Sequence, residues 1–392
     1  MRASATAAPS NRLHDLLAQR YTPPFRDELP GTMAAMLENE RPQQKLRENG
    51  KLLRRWLWLH LTGQSSLLRD RLPPPPARLL WLSPSSNSIG DSLMELAGRA
   101  LLGAYEVDLL AGKCYAELYR KDHYLREVFS DPEAIDPSGY DFGIQDFFNT
   151  RSLRIKRRMC PRLPFVTLQG FFWGADYNRM LFSCYRIHQL LGYPLLAAEL
   201  RAFLQPRLFL EDEPTPLPKE PGCRRVALAL GGKYPARTYS RWPEVLRSLI
   251  TTWPSGQPFP EFVLVGSRNA LAGLPAVLAA LGNRACRSFV DVLTLRATAR
   301  LIFDCDFFVG TDGGLMHCAL AANLPGVALF GRVLPSLRLP PETDIQALHD
   351  SDDVNNVSPP AVAEAIRNRW GFALFAGSGV SVDRPTGGLP SA

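Results

Sequence analysis

Two trains of short apolar runs, each alternating with helical stretches, flank a proline-rich segment at 205–222. In the first train, residues 77–84 read as a strand, 85–91 as a loop and 92–111 as a helix. Strands at 140–147 and 163–168 follow, then an amphipathic helix over 177–192 that ends at Gly192. The second train starts with a strand at 224–230 and a helix at 240–250, then a strand at 261–267 and a helix at 270–282. It continues with a helix over 291–305, a strand at 306–310, a helix over 315–324 and a strand at 326–331. Strands that alternate with helices build parallel sheets covered on both faces. The expected fold class is α/β, with two Rossmann-like parallel-sheet domains. Such sheets take ligands at the carboxyl ends of their strands.

The organisation expected is an extension over 1–74, partly helical, then domains at 75–205 and 223–376 joined by the linker 206–222. Residues 377–392 read as a disordered tail. In the extension, residues 33–61 have helical spacing, with Pro42 as an interruption. Pro73 to Pro76 form a stiff connector. The 392 residues suit two domains rather than one.

The 46% hydrophobic and 21% charged content is globular, and the net charge of +7 suits an anionic partner. Residues 1–13 lack the apolar core of a signal peptide, and no run reaches the length of a membrane span. Residues 52–63 are the most apolar stretch, broken by Arg54 and Arg55. They either lie flat on an anionic bilayer, with Trp56 and Trp58 at the interface, or pack as a helix on their own domain. Seven cysteines without any CxxC pair fit a reducing compartment better than disulfides or zinc. Cys286, Cys305 and Cys318 read as buried apolar side chains.

The sharpest candidate site runs from Asp306 to His317. An apolar strand leads into Gly310-Thr311-Asp312-Gly313-Gly314 and directly into a helix carrying His317. Gly313 and Gly314 permit close ligand approach, and amides at a helix start hold phosphate. Thr311 adds a donor, Asp312 an acceptor for sugar hydroxyls, and His317 a further phosphate contact. The simpler reading is a capped tight turn. In the first domain, Asp91 ends the loop after the first strand, either as a general base or as a helix cap, with Ser88 competing for the cap.

The stretch from Phe289 to Gly331 resembles the nucleotide-sugar signature of glycosyltransferase family 9, the bacterial heptosyltransferases. Leu293, Asp312, Gly314, His317, Ala319, Pro325, Leu329, Phe330 and Gly331 carry the match. Ser88-Ile89-Gly90-Asp91 is similar to the family's Leu-Gly-Asp loop, Arg241-Trp242-Pro243 to its Lys-Arg-Trp-Pro element, and residues 263–266 to its middle strand. The resemblance spans Ala77 to Arg367. It implies a GT-B fold, with two domains around a cleft, and metal-independent transfer with inversion. The co-substrate implied is a nucleotide sugar, with an ADP-sugar favoured, and no separate cofactor. Asp91 matches the family's base.

Without a metal, the leaving diphosphate needs fixed donors and cations. The candidates are the amides near Leu315, together with Lys233, Arg237 and Arg241, beside Gly231 and Gly232. Where the family places a lysine before Arg241, this chain has Ser240, so Lys233 or Arg237 substitutes. After the middle strand, Gly266 leads to Ser267, Arg268 and Asn269 instead of a carboxylate. Donor contacts are assigned to Ser240, Gly266, Ser267 and Asn269 with the groups above.

Arg151, Arg154, Lys156, Arg157, Arg158 and Arg162 form a basic patch in the acceptor domain. It suits a phosphorylated or carboxylated glycan such as lipopolysaccharide inner core, or is simply a solvated basic face. No nucleic-acid motif accompanies it. The expected activity is sugar transfer to an acidic cell-surface glycan at the cytoplasmic membrane face. Transfer to protein and a non-catalytic nucleotide-sugar-binding role are the alternatives.

Overall fold

The computed structural model describes residues 12–20, 42–84, 88–172, 177–192 and 197–376. In chain order the elements begin with α1 (Arg12–Ala18), α2 (Pro42–Leu61), β1 (Arg78–Ser83), α3 (Ile89–Glu95), β2 (Glu106–Ala111) and β3 (Glu127–Phe129). Then come β4 (Phe142–Phe147), α4 (Thr150–Met159), β5 (Phe165–Gly170), α5 (Arg179–Leu191) and α6 (Ala197–Arg201). The second half has β6 (Arg225–Ala229), α7 (Trp242–Thr252), β7 (Glu261–Val265), α8 (Leu274–Leu281), β8 (Cys286–Ser288) and α9 (Leu295–Phe303). It closes with β9 (Phe307–Thr311), α10 (Gly314–Ala321), β10 (Gly326–Phe330), β11 (Ile345–His349) and α11 (Pro359–Ala376).

Two compact units result. The first takes residues up to 85 with 98–116 and 124–201; the second takes 86–97, 117–123 and 202 onward. The first sheet has the order β3-β2-β1-β4-β5 and the second β8-β7-β6-β9-β10-β11, with every pairing parallel. Both are doubly wound, and the direction of winding reverses between β1 and β4, and between β6 and β9. Ligands of such sheets bind outside the strand carboxyl ends at that reversal. The expected α/β class with two Rossmann-like parallel sheets, the architecture of the GT-B fold, is what the chain adopts.

Strands β6, β7, β9 and β10 are buried along their whole length, as central parallel strands covered on both faces must be. Their core includes Val226, Leu228, Leu264, Phe307 and Val309 with Trp242, Leu249 and Trp370 from the helices. The stretch read as one helix over 92–111 is shorter than expected: α3 stops at Glu95, and 106–111 is strand β2. Gly98 explains the break. A Cβ there would lie 2.7 Å from the Ser183 carbonyl, so the chain crosses α5 at backbone distance.

In the segment expected as an extension, Pro42 opens α2, a place where its missing N–H costs nothing. Trp58 and Leu59 pack with Phe148, Leu153 and Phe165. Gln64 donates to the Pro161 carbonyl (3.0 Å), and Leu68 bridges Phe165 in parallel register. The helix thereby closes the β5 side of the first unit. Residues 33–41 of the helical reading, and 377–392 read as a tail, lie outside the described residues.

The proline-rich segment is tied down by a buried ion pair. Arg225, which opens β6, donates from Nε to Glu261 (2.7 Å) and through its other nitrogens to the Leu217 and Pro218 carbonyls (2.8 and 2.7 Å). Arg287 reaches the second Glu261 oxygen (3.0 Å), and these cations hold the carboxyl below its usual range against the opposing effect of burial. Glu261→Ala leaves the buried guanidinium uncompensated, which costs about 3–5 kcal/mol. Urea denaturation should show that loss; an unchanged midpoint would contradict this role for the pair.

Candidate donor site

The second unit brings three loops together by hydrogen bonds and close backbone packing. After β6, Gly231 has φ +80°, and a Cβ on it would stand 2.8 Å from Asn269 Oδ1. Asn269 in turn donates to the Gly232 carbonyl (2.6 Å), and Ser267 donates to Asn269 (2.8 Å). Gly266 has φ +159° and room for no side chain, since a Cβ would lie 2.6 Å from the Leu230 carbonyl. The residues read from sequence as donor contacts at 266–269 thus brace the β6 and β7 loops against each other. The amide of Asn269 is committed to that brace.

The next segment sorts its polar groups differently. Ser240 gives both its amide and its hydroxyl to Asn355 Oδ1 (2.8 and 2.9 Å), while Asn355 Nδ2 donates to the Thr238 carbonyl (3.0 Å). Arg241 is paired with Glu244 through two nitrogens (3.2 and 2.9 Å) on the exposed start of α7. Both are anchors of the segment. Asn355 had no signal in the sequence, because its role depends on a loop 115 residues away. Lys233 is exposed, its ammonium 5.6 Å from the Tyr234 ring centroid.

Arg237 behaves differently again. Its Nη1 lies 3.3 Å from Asp312 Oδ2, and Arg338 Nε lies 4.0 Å from the other oxygen. Asp312 is only 6% exposed, and Oδ2 makes no hydrogen bond of good geometry among the described residues. Burial raises its carboxyl above the usual range, Arg237 and Arg338 pull it down, and the charge of Asp91 pushes it up. Arg338 was missed in the sequence because the loop after β10 has no marker beyond its prolines.

Thr311 ends β9 and is buried, and Gly313 follows in extended conformation before α10. The first turn of a helix leaves its amides without carbonyl partners in the helix. His317 is 1% exposed, with Nδ1 unpartnered among the described residues. Burial first, and Arg338 second, drive its imidazole down to about 3, so it is neutral at physiological pH.

Helix α3 completes the arrangement. Ser88 caps it by accepting from the Asp91 amide (3.1 Å), so the competition for the cap goes to Ser88. The Asp91 carboxylate, at the third helical position, acts electrostatically on Asp312 and His317. A Cβ on Gly314 would lie 2.7 Å from Ile89 Cβ, and one on Gly90 2.7 Å from His317 Cδ2. The starts of α3 and α10 therefore meet at backbone distance.

In the first unit, α4 carries the basic patch, capped by Asn149, which accepts from the Ser152 amide (2.7 Å). Arg151, Arg154, Arg157 and Arg158 are exposed; Arg158 pairs with Glu133 at 3.0 Å. Lys156 does not belong to the patch. It is buried, donates to Gln64 Oε1 (2.6 Å), and burial lowers its ammonium to about 8. A buried carboxylate that the sequence did not flag, Asp146, sits near the end of β4. It accepts from the Trp81 indole (2.7 Å), with its carboxyl raised by burial to about 6.

All seven cysteines are unpaired, and no three His, Cys, Asp or Glu side chains cluster as a metal site among the described residues. No helix of the described residues is long and apolar enough to cross a membrane.

Lowered protonation of His317 has a stability consequence. An imidazole at about 3 in the folded chain and 6.5 when exposed gives stability that is complete above pH 6.5 and lost as pH falls. The slope between those values is about 1.4 kcal/mol per pH unit. His317→Gln should remove that increment from the difference in urea stability between pH 7 and pH 5; an identical slope in the variant would contradict a buried neutral imidazole.

Residues 256–351, from just before β7 to just past β11, match the family model for glycosyltransferase family 9 (heptosyltransferase). No curated protein matches the sequence. Among solved structures, a family 9 glycosyl transferase from Veillonella parvula superposes with TM-score 0.60 at 11% identity, covering 79% of this chain and 100% of that one. The ADP-heptose lipopolysaccharide heptosyltransferase II of E. coli gives 0.53 at 18%, covering 77% and 100%. E. coli heptosyltransferase WaaC with ADP gives 0.53 at 13%, covering 76% and 99%. Residues 256–351 therefore resemble glycosyltransferase family 9, and the chain as a whole shares the two-domain fold of these structures.

Proposed function

We propose that the chain transfers a heptose or similar sugar, with inversion and without a metal, from a nucleotide diphosphate donor to an acidic cell-surface glycan such as lipopolysaccharide core. The observation that carries this reading is the meeting of α3 and α10, which puts Asp91 beside the Asp312–His317 turn. An ADP-sugar is the favoured donor, since a protein of the same fold holds ADP. The reaction is placed in the cytoplasm, at the inner face of the membrane where such a glycan is built.

In this reading the acceptor hydroxyl gives its proton to the Asp91 carboxylate as its oxygen attacks the anomeric carbon. The bond from that carbon to the diphosphate oxygen breaks on the opposite face. The departing negative charge meets the α10 amides and Arg237, fixed before the reaction. Neutral His317, in its Nδ1–H form, donates a hydrogen bond without adding charge. Asp312 accepts from a donor hydroxyl while Arg237 and Arg338 hold it. The exposed arginines of α4 suit phosphate or carboxylate groups of the acceptor.

Titration with ADP and turnover of ADP-heptose test this division of labour. Asp312→Ala should weaken ADP-heptose binding about tenfold or more, the loss of one charged hydrogen bond. Asp91→Asn should keep binding within about twofold and cut turnover by roughly 100-fold or more. Full activity in Asp91→Asn would remove the base assignment. Tight binding with no turnover by the unaltered chain, on any acidic glycan acceptor, would favour the non-catalytic alternative.

A further inference from the structure

Helix α2 lies outside the family resemblance and presents two unlike faces. Leu52 and Leu59 point into the first unit and are 4% and 3% exposed. Leu46, Leu53, Leu57 and Leu61 are exposed, Leu46 and Leu61 at 77% and 78%. Their spacing of seven, four and four residues puts all four on one stripe of the helix. Water contact along such a stripe is unfavourable, and exposed apolar side chains gathered on one helix face mark a docking surface. The tryptophans expected at an interface are turned elsewhere: Trp58 packs on the core, and Trp56 lies against His60 with ring centroids 4.2 Å apart.

Arginines border one side of the stripe. Arg47 and Arg54 follow Leu46 and Leu53 in sequence and are exposed. A cavity of about 250 Å³ beside them is lined by Arg54, Arg55, Trp58, Thr150, Leu153 and Arg154. Arg55 Nε is buried there without a hydrogen-bond partner among the described residues. Arg157 extends the edge, its guanidinium 5.8 Å from the Trp58 ring centroid. A leucine stripe beside clustered guanidinium groups matches a surface that is apolar within and anionic at its phosphates. A second copy on this face would set arginines against arginines and is disfavoured by charge.

We infer that the exposed leucine stripe of α2, with the arginine edge it shares with α4, docks the chain on an anionic phospholipid bilayer. Leu46, Leu53, Leu57 and Leu61 enter the level of the acyl chains, and Arg54, Arg154 and Arg157 meet lipid phosphates. The cavity receives one phosphate group against Arg55. The inference rests on the membrane location proposed above and shares Arg154 and Arg157 with the acceptor contacts proposed there, while the donor site takes no part in it.

Co-sedimentation of the full chain with vesicles of phosphatidylcholine, alone or mixed with phosphatidylglycerol, tests it. Binding should require phosphatidylglycerol and weaken with salt. Arg54→Glu and Leu57→Glu, both at exposed positions, should each reduce binding roughly fivefold or more while ADP affinity stays unchanged. Equal binding to both vesicle types, or full binding by Leu57→Glu, would overturn the inference. So would a self-associated chain that Leu57→Glu dissociates and that binds no vesicles. Loss of ADP binding in the unaltered chain would strike the transferase reading instead and leave vesicle binding standing.

Discussion

Two glycines set the distance on which the candidate site depends. Gly90 meets the His317 imidazole and Gly314 meets Ile89, each at a spacing that leaves no room for a Cβ. Side chains at those positions would force the starts of α3 and α10 apart, because 2.7 Å is closer than a Cβ can approach its neighbours. Asp91 would move away from Asp312 and His317, and the electrostatic influence it exerts on both would fall. Everything chemical in the second unit is arranged around this contact. Ser88 caps α3, burial keeps His317 neutral, and Arg237 and Arg338 oppose the upward effect of burial on the Asp312 carboxyl.

Charge is distributed unevenly among the basic residues near that contact. Arg241 is paired with Glu244 and Ser240 with Asn355, so the element that resembles Lys-Arg-Trp-Pro is anchored to its neighbours. Arg237 faces the Asp312 turn, the place where a diphosphate would need a cation. Substitution of Ser240 for a lysine is therefore matched by an arginine three residues earlier in the chain. On the first unit the exposed arginines of α4 lie beside the leucines of α2, a helix that the family resemblance does not reach.

The alternation of apolar runs and helices made the two parallel sheets legible, and the Asp312–His317 turn was legible from its glycines and its following helix. Short edge strands such as β3 and β8 were not, because three residues carry too little periodicity. The boundary between α3 and β2 escaped because Gly98 acts through Ser183, far away in sequence. Asn355, Arg338 and Asp146 escaped for the same reason: their partners are supplied by segments far away in sequence. Lys156 looked like one more surface cation, and only the packing of Gln64 and Phe165 around it reveals a buried ammonium.

The central claim is that the meeting of α3 and α10 forms a diphosphate-sugar site. Amide hydrogen exchange of the full chain, with and without saturating ADP, tests it most directly. Peptides covering 311–318 and 88–92 should both exchange more slowly with ADP bound, and peptides of α4 should be unchanged. Protection confined to other regions, or none at all despite measured ADP binding, would contradict it.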